Sequence, residues 1–203
     1  MALDKLPIGW FDFAVVVVLL VGVLRGRKNG MSEELMPFLQ WLVILGAGAY
    51  LYEPLGVFIV QNAGSSLLFG YVVAYLVLAA AVKGVFTALK RASKGKLIGS
   101  DVFGRGEYYL GMGAGTVRFA CGLMLALALL NARLFSYAEV AAMQNFQMKE
   151  YGSEFFPTHQ TIQQQVFVKS FIGPRIKESL GFLLIKPTAP EEKQLRRKEL
   201  NLP

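Results

Sequence analysis

Arg118 is the side chain that most needs a chemical explanation. It lies inside an otherwise apolar run, Leu110 to Leu130. At 3.6 residues per turn, Glu107, Gly111, Gly115, Arg118 and Gly122 fall within one arc of roughly 80°. Gly113 and Phe119 fall on other sides. A guanidinium facing lipid at mid-depth costs at least about 2.5–3.5 kcal/mol, so this stripe should face protein and Arg118 should bond to something there. Asp12, Gln40 and backbone carbonyls are the candidates. Intramembrane polar groups of this kind serve either as tethers between helices or as stations on an ion or proton path. The glycines four apart allow another helix to approach closely.

The other reactive residue types carry little. Cys121 is the only cysteine, so no disulfide forms within the chain and no cysteine-rich metal site exists; it reads as a small packing residue. His159, in the polar stretch PTHQTIQQQ, has no cysteine or carboxylate cluster beside it, and no metal or cofactor is expected. There is no Gly-x-Ser-x-Gly elbow and no Walker-type phosphate loop. The basic stretch ALKRASKGKLIG follows an apolar block, where topology alone calls for positive charge, so nucleic acid is not an expected partner. An enzyme is not expected.

The elements that position these residues are apolar blocks. The chain has 203 residues, 54% of them hydrophobic and 17% charged, with a net charge of +7. A soluble domain averages about 45–50% apolar and about 25% charged, so this composition points to a membrane protein. Four blocks reach the roughly 17–25 residues that a spanning helix needs: about 8–24, 35–52, 67–89 and 110–130. The expected fold is all-α, a four-span transmembrane helical bundle over residues 1–131 with a C-terminal amphipathic helical tail over 132–203. No period-2 pattern supports a β-barrel. The basic cluster Arg25, Arg27 and Lys28 after the first block argues for a retained span rather than a cleaved signal. Small residues four apart recur at Gly22, Gly26 and Gly30, at Gly70 and Ala74, and at Ala80 and Gly84, while Gly46 and Ala49 mark the second span. Their recurrence implies a close-packed bundle or a homo-oligomer.

Charge sets the expected orientation. Loops one and three are basic, and the second, Glu53 to Ser66, carries no Lys or Arg. The positive-inside rule then places loops one and three in the cytoplasm and both termini outside. The tail should form three short helices, from about Ala132 to Glu150, from Pro157 to Phe171, and from about Arg175 to Ile185, with Gly173-Pro174 as a break. Its aromatic and aliphatic content favours docking on the membrane surface or on the span ends over disorder.

Two motifs carry a resemblance. WFDFAVVVVLLVGVLRG, with Asp12 followed by Gly22, Arg25 and Gly26, and the later set Glu107, Gly111, Gly115 and Arg118, together resemble the colicin V production protein family over most of residues 10–130. The chain departs from the family pattern in carrying Glu107 where members usually have Asp. It also reaches an acidic residue, Glu33 or Glu34, later after Arg25-Gly26. The resemblance implies a multi-pass bacterial inner-membrane protein linked to peptide-toxin export or envelope homeostasis. Its expected partners are membrane lipids and other membrane or periplasmic proteins. The alternative is a small transporter or channel subunit that uses the intramembrane polar residues. The candidate structural or functional residues are Asp12, Gly22, Arg25, Gly26, Glu107, Gly111, Gly115 and Arg118.

Overall fold

Glycine at position 30 divides the longest helical stretch. In the computed structural model, which describes residues 9–92, 104–152 and 157–188, α1 (Trp10–Ala63) holds Gly30 at φ 75°, ψ 171°. That backbone region is essentially closed to any residue with a Cβ. The chain therefore breaks there into a first arm, 10–29, and a second arm, 31–63. The chain remains helical through Arg25 to Asn29, so the expected first loop is concentrated into this single residue.

The two arms run in opposite directions. On the first arm, Gly22 lies against Gly115 and Gly26 against Gly111, so the arm is antiparallel to α3 (Glu107–Asn131). On the second arm, Glu34 bonds to Arg118 and Trp41 lies over Gly122, so that arm runs parallel to α3. α1 is thus a hairpin clasping α3. At 1.5 Å per residue the second arm is about 50 Å long, well beyond the roughly 30 Å of a bilayer core. The expected second span ended at Tyr52, but the helix continues through Pro54. The reason lies in packing: Gly56 and Val60 press on Gly70 of α2 (Leu67–Ala92). The stop comes at Gly64, in a left-handed cap (φ 60°) whose N–H bonds to the Val60 carbonyl at 2.9 Å.

α2 leans on the second arm alone and scarcely touches α3. Its buried residues, Gly70, Tyr71, Ala74 and Tyr75, all lie in its first half. Gly48 provides the seat for the Tyr75 ring. A Cβ on Gly46 or Gly84 would meet nothing within 4 Å, so among the described residues no close helix contact forms at either glycine. Among the described residues, three helices are long and apolar enough to cross a membrane: α1, α2 and α3.

After α3 come α4 (Tyr137–Tyr151), α5 (His159–Gln164), a π-helical turn (Gln165–Lys169) and α6 (Ile172–Leu180). α4 is opened by a capping box between Ser136 and Glu139 and leaves Met143, Phe146 and Met148 exposed. Residues 157–188 behave differently. Val166, Phe167, Leu184 and Ile185 are buried together with Phe11, Val15, Met124, Leu127 and Ala128 at the end of the bundle remote from Gly30. Gly173 and Pro174, expected to break a helix, instead lie in the first turn of α6. Proline has no helical hydrogen bond to lose there, and Gly173 packs so close to the Val166 carbonyl that a Cβ would lie 2.7 Å from the carbonyl carbon. Lys94, Lys96, Arg196, Arg197 and Lys198 fall outside the described residues.

The hairpin makes a direct prediction. A Cβ on Gly26 would lie 2.8 Å from the Gly111 carbonyl carbon, and one on Gly30 would lie 2.9 Å from Glu107 besides straining the backbone. Gly26→Ala and Gly30→Ala should each lower the unfolding midpoint in detergent micelles, with a loss of about 1–3 kcal/mol. Gly46→Ala, facing open space, should leave the midpoint unchanged or raise it.

Candidate functional site

The site is assembled by backbone contact. Glycines 22 and 26 on the first arm and 111 and 115 on α3 leave no side chain between the two helices. A Cβ on Gly115 would lie 2.8 Å from the Gly26 Cα, and one on Gly111 would lie 2.9 Å from the Gly30 Cα. Glu107, at the start of α3, packs its side chain on Gly30. Gly122 presents its open face to the Trp41 ring, 3.7 Å from where a Cβ would stand.

Arg118 follows this contact along α3, and its partner is Glu34. The Arg118 Nη1 donates to Glu34 Oε2, and Asn29 Nδ2 donates to the other oxygen, Oε1, at 2.7 Å. Glu34 is fully buried, while Arg118 keeps 16% of its side chain exposed. The guanidinium also stands 5.1 Å from the Phe119 ring centroid and borders a groove of about 450 Å³ shared with Val18, Trp41 and Gly122. The expected partners are therefore corrected: neither Asp12 nor Gln40 bonds to Arg118. With residue 22 level with 115 and 26 level with 111, Arg118 lies level with residue 19. Asp12 is then about 10 Å further along the arm. Reversal at Gly30 instead carries Glu34 back along α3 to within reach.

Asp12 has a separate role at the opposite end. Its carboxylate accepts backbone N–H groups from Gly9 (2.8 Å), Phe171 (3.0 Å) and Ile172 (2.9 Å). One carboxylate thus caps its own helix and the start of α6, where exposed N–H groups and the helix dipole favour negative charge. Further ties secure the same end. Trp10 Nε1 donates to Gln165 Oε1, and Gln163 Nε2 donates to the Leu130 carbonyl in the last turn of α3 and to the Arg133 carbonyl just beyond it. Asn131 Nδ2 donates to the Ile185 carbonyl at 2.9 Å, and the Lys186 N–H donates to the Tyr52 hydroxyl at 3.1 Å. The Lys186 ammonium reaches Glu53 at 2.8 Å, and this hydrogen bond raises its pKa. His159 stands 5.4 Å from the Phe135 ring; burial, with Arg133 nearby, lowers its pKa below the ordinary value.

The eight candidate residues therefore separate into groups. Gly22, Gly26, Gly111 and Gly115 form one interface, and Glu107 closes it at Gly30. Arg118 adjoins the interface through Glu34. Asp12 serves the far end, and Arg25 is exposed with no bond among the described residues. Sequence reasoning passed over Glu34, Asn29 and Gly30 as members of the site. The available signal was an acidic residue four positions after a glycine, at the start of an apolar block.

The family model for colicin V production proteins matches residues 11–154, most of the chain and the whole glycine interface with its ion pair. The protein belongs to the colicin V production protein family. No curated protein matches it, and no solved structure does. The family match takes in both arms of α1, α2, α3 and α4, and it ends before the segment 157–188 that Asp12 holds.

Two outcomes follow from this geometry. Removing one member of a buried ion pair strands the other and costs about 3–5 kcal/mol, whereas replacing both by apolar residues costs much less. Glu34→Leu and Arg118→Leu should each destabilise the protein strongly, and the double variant should be more stable than either single one, as read from unfolding in micelles. Asp12→Ala should leave the glycine interface intact but raise amide exchange and protease cleavage within 157–188, with little change in exchange across 107–131.

Proposed function

We propose that this colicin V production family member is a four-span protein of the bacterial inner membrane that acts without catalysis. It supports peptide-toxin export or envelope homeostasis by holding partner proteins. The reading takes the two arms of α1 as separate spans, with α2 and α3 as the third and fourth. It places the basic 25–28 segment in the cytoplasm and the 132–203 tail outside, with both termini on that side. Loop charge supports this orientation.

The observation that carries the reading is the engagement of the buried charges. Glu34 and Arg118 neutralise each other across the hairpin and α3, and Asp12 is saturated by backbone N–H groups. Charges satisfied in this way hold helices together. Partner binding falls to surfaces the fold leaves open, among them α4 and the second half of α2. The transporter or channel reading draws support from the partial exposure of Arg118 in the 450 Å³ groove.

A deletion strain provides the test. Loss of the gene should reduce release of the peptide toxin or raise sensitivity to bile salts, and the wild-type chain should restore both. Glu34→Leu/Arg118→Leu, if folded, should restore them as well, since the pair acts as a tether. Failure of that folded double variant, together with ion flux through wild-type proteoliposomes, would favour the channel reading. Single cysteines at Ala63 and Ala92 in a Cys121→Ala background test the topology: a membrane-impermeant maleimide added outside should label only the first.

A further inference from the structure

Three basic side chains at the Gly30 end have no protein partner among the described residues. Arg25, Arg27 and Lys28 lie on consecutive faces of the last turn of the first arm; all are exposed, and none makes a hydrogen bond or ion pair among the described residues. They are not scattered over a convex surface. Two clefts adjoin there and share Leu24 and Lys28. One, of about 620 Å³, lies between the first arm and α3 and adds Arg27, Tyr108, Tyr109 and Met112 to its walls. The other, of about 420 Å³, continues around the arm and is walled by Arg25, Asn29 and Val21. Each cleft holds Lys28 and one arginine.

The clefts also have an apolar continuation. Val17, Leu20, Val21 and Leu24 on the first arm are exposed and lead from the cations toward the middle of that helix. A soluble anion would use the cations and leave this strip bare. A molecule with phosphates at one end and acyl chains at the other would use both. The tyrosines sit where aromatic rings favour the headgroup level, and basic pockets between spans on the cytoplasmic side suit acidic lipid headgroups.

We infer that the paired clefts around Lys28 form a binding site for an acidic glycerophospholipid with two phosphodiesters. One phosphate is held by Arg27 and Lys28, the other by Arg25 and Lys28, and the acyl chains lie along Leu24 and the apolar strip above it. Two cationic recesses flanking one lysine match two linked phosphates better than one. The site rests on the reading that the first arm spans the membrane with residues 25–28 at its cytoplasmic face. It gives Arg25, which no contact among the described residues explains, a ligand.

The test is native mass spectrometry of the full chain in micelles, titrated with cardiolipin, phosphatidylglycerol or phosphatidylethanolamine. Cardiolipin should be retained about tenfold more tightly than phosphatidylglycerol, and phosphatidylethanolamine should not be retained specifically. Arg25→Gln/Arg27→Gln/Lys28→Gln should lose that preference. A control with the same charge change, Lys83→Gln/Lys169→Gln/Lys177→Gln, should keep it. All six positions are outside the buried core, and circular dichroism confirms that each variant is helical before titration. Equal retention by both triple variants would overturn the site, and equal affinity for cardiolipin and phosphatidylglycerol would overturn the two-phosphate assignment. Displacement of cardiolipin by millimolar pyrophosphate would identify a soluble phosphate ligand instead and overturn the lipid. Binding in micelles does not depend on orientation, so a failed topology, read from maleimide labelling, is distinguishable from a failed site.

Discussion

The contact between two bare backbones organises this molecule. Where glycines 22 and 26 meet 111 and 115, the first arm and α3 approach closely enough that a single methyl group would force them apart. Lipid tails are as apolar as leucine side chains, so burial from water cannot drive helices together inside a bilayer; close packing and polar contacts must do so. The glycine face maximises packing. It also fixes the register, and the register decides which polar groups meet. Gly30 adds the second constraint, because only a residue without a side chain can reverse the helix so abruptly. Together these features carry Glu34 to Arg118.

The resulting ion pair is expensive to bury and specific in what it permits. Taking a carboxylate and a guanidinium out of water costs several kcal/mol each, and their attraction repays this only when geometry and additional bonds are favourable. Asn29 supplies one such bond to the free oxygen of Glu34. A hairpin shifted by one turn, or a second arm docked on another helix, would leave both charges stranded in an apolar setting. The pair therefore discriminates among packings that the glycines alone would tolerate.

The opposite end uses another means. There the chain's own 157–188 segment covers the start of the first arm, the second arm around Tyr52 and Glu53, and the end of α3, and polar side chains terminate helices that would otherwise present unsatisfied groups. Asp12 caps two helix starts at once, while Gln163 and Asn131 engage carbonyls near the end of α3 and along the tail. Three sets of charges thus differ in kind. Buried Glu34 is paired with partly buried Arg118, Asp12 is buried and capped by backbone, and the basic cluster at 25–28 is exposed and unpaired among the described residues. The first two account for the architecture, and the third faces outward from it.

Much of this was legible in the sequence. Block lengths and composition identified helices long and apolar enough to cross a membrane, because the thickness of a bilayer sets the length of an apolar run. The helical wheel placed Gly111, Gly115 and Arg118 on one face, because 3.6-residue periodicity is local. The two spaced motifs pointed to the family. The sequence did not disclose the partner of Arg118, the seat of Asp12 or the continuation of the second arm to Gly64. Each depends on which helices lie side by side and at what register, and no local pattern encodes that. Glu34 read as a loop residue until the reversal at Gly30 folded it inward. Asp12 read as a possible intramembrane counter-ion until a segment about 160 residues away supplied its hydrogen bonds. Local periodicity determined the elements and their faces. Only the tertiary structure decided which charges meet, because an ion pair between residues 84 apart requires the chain to turn first.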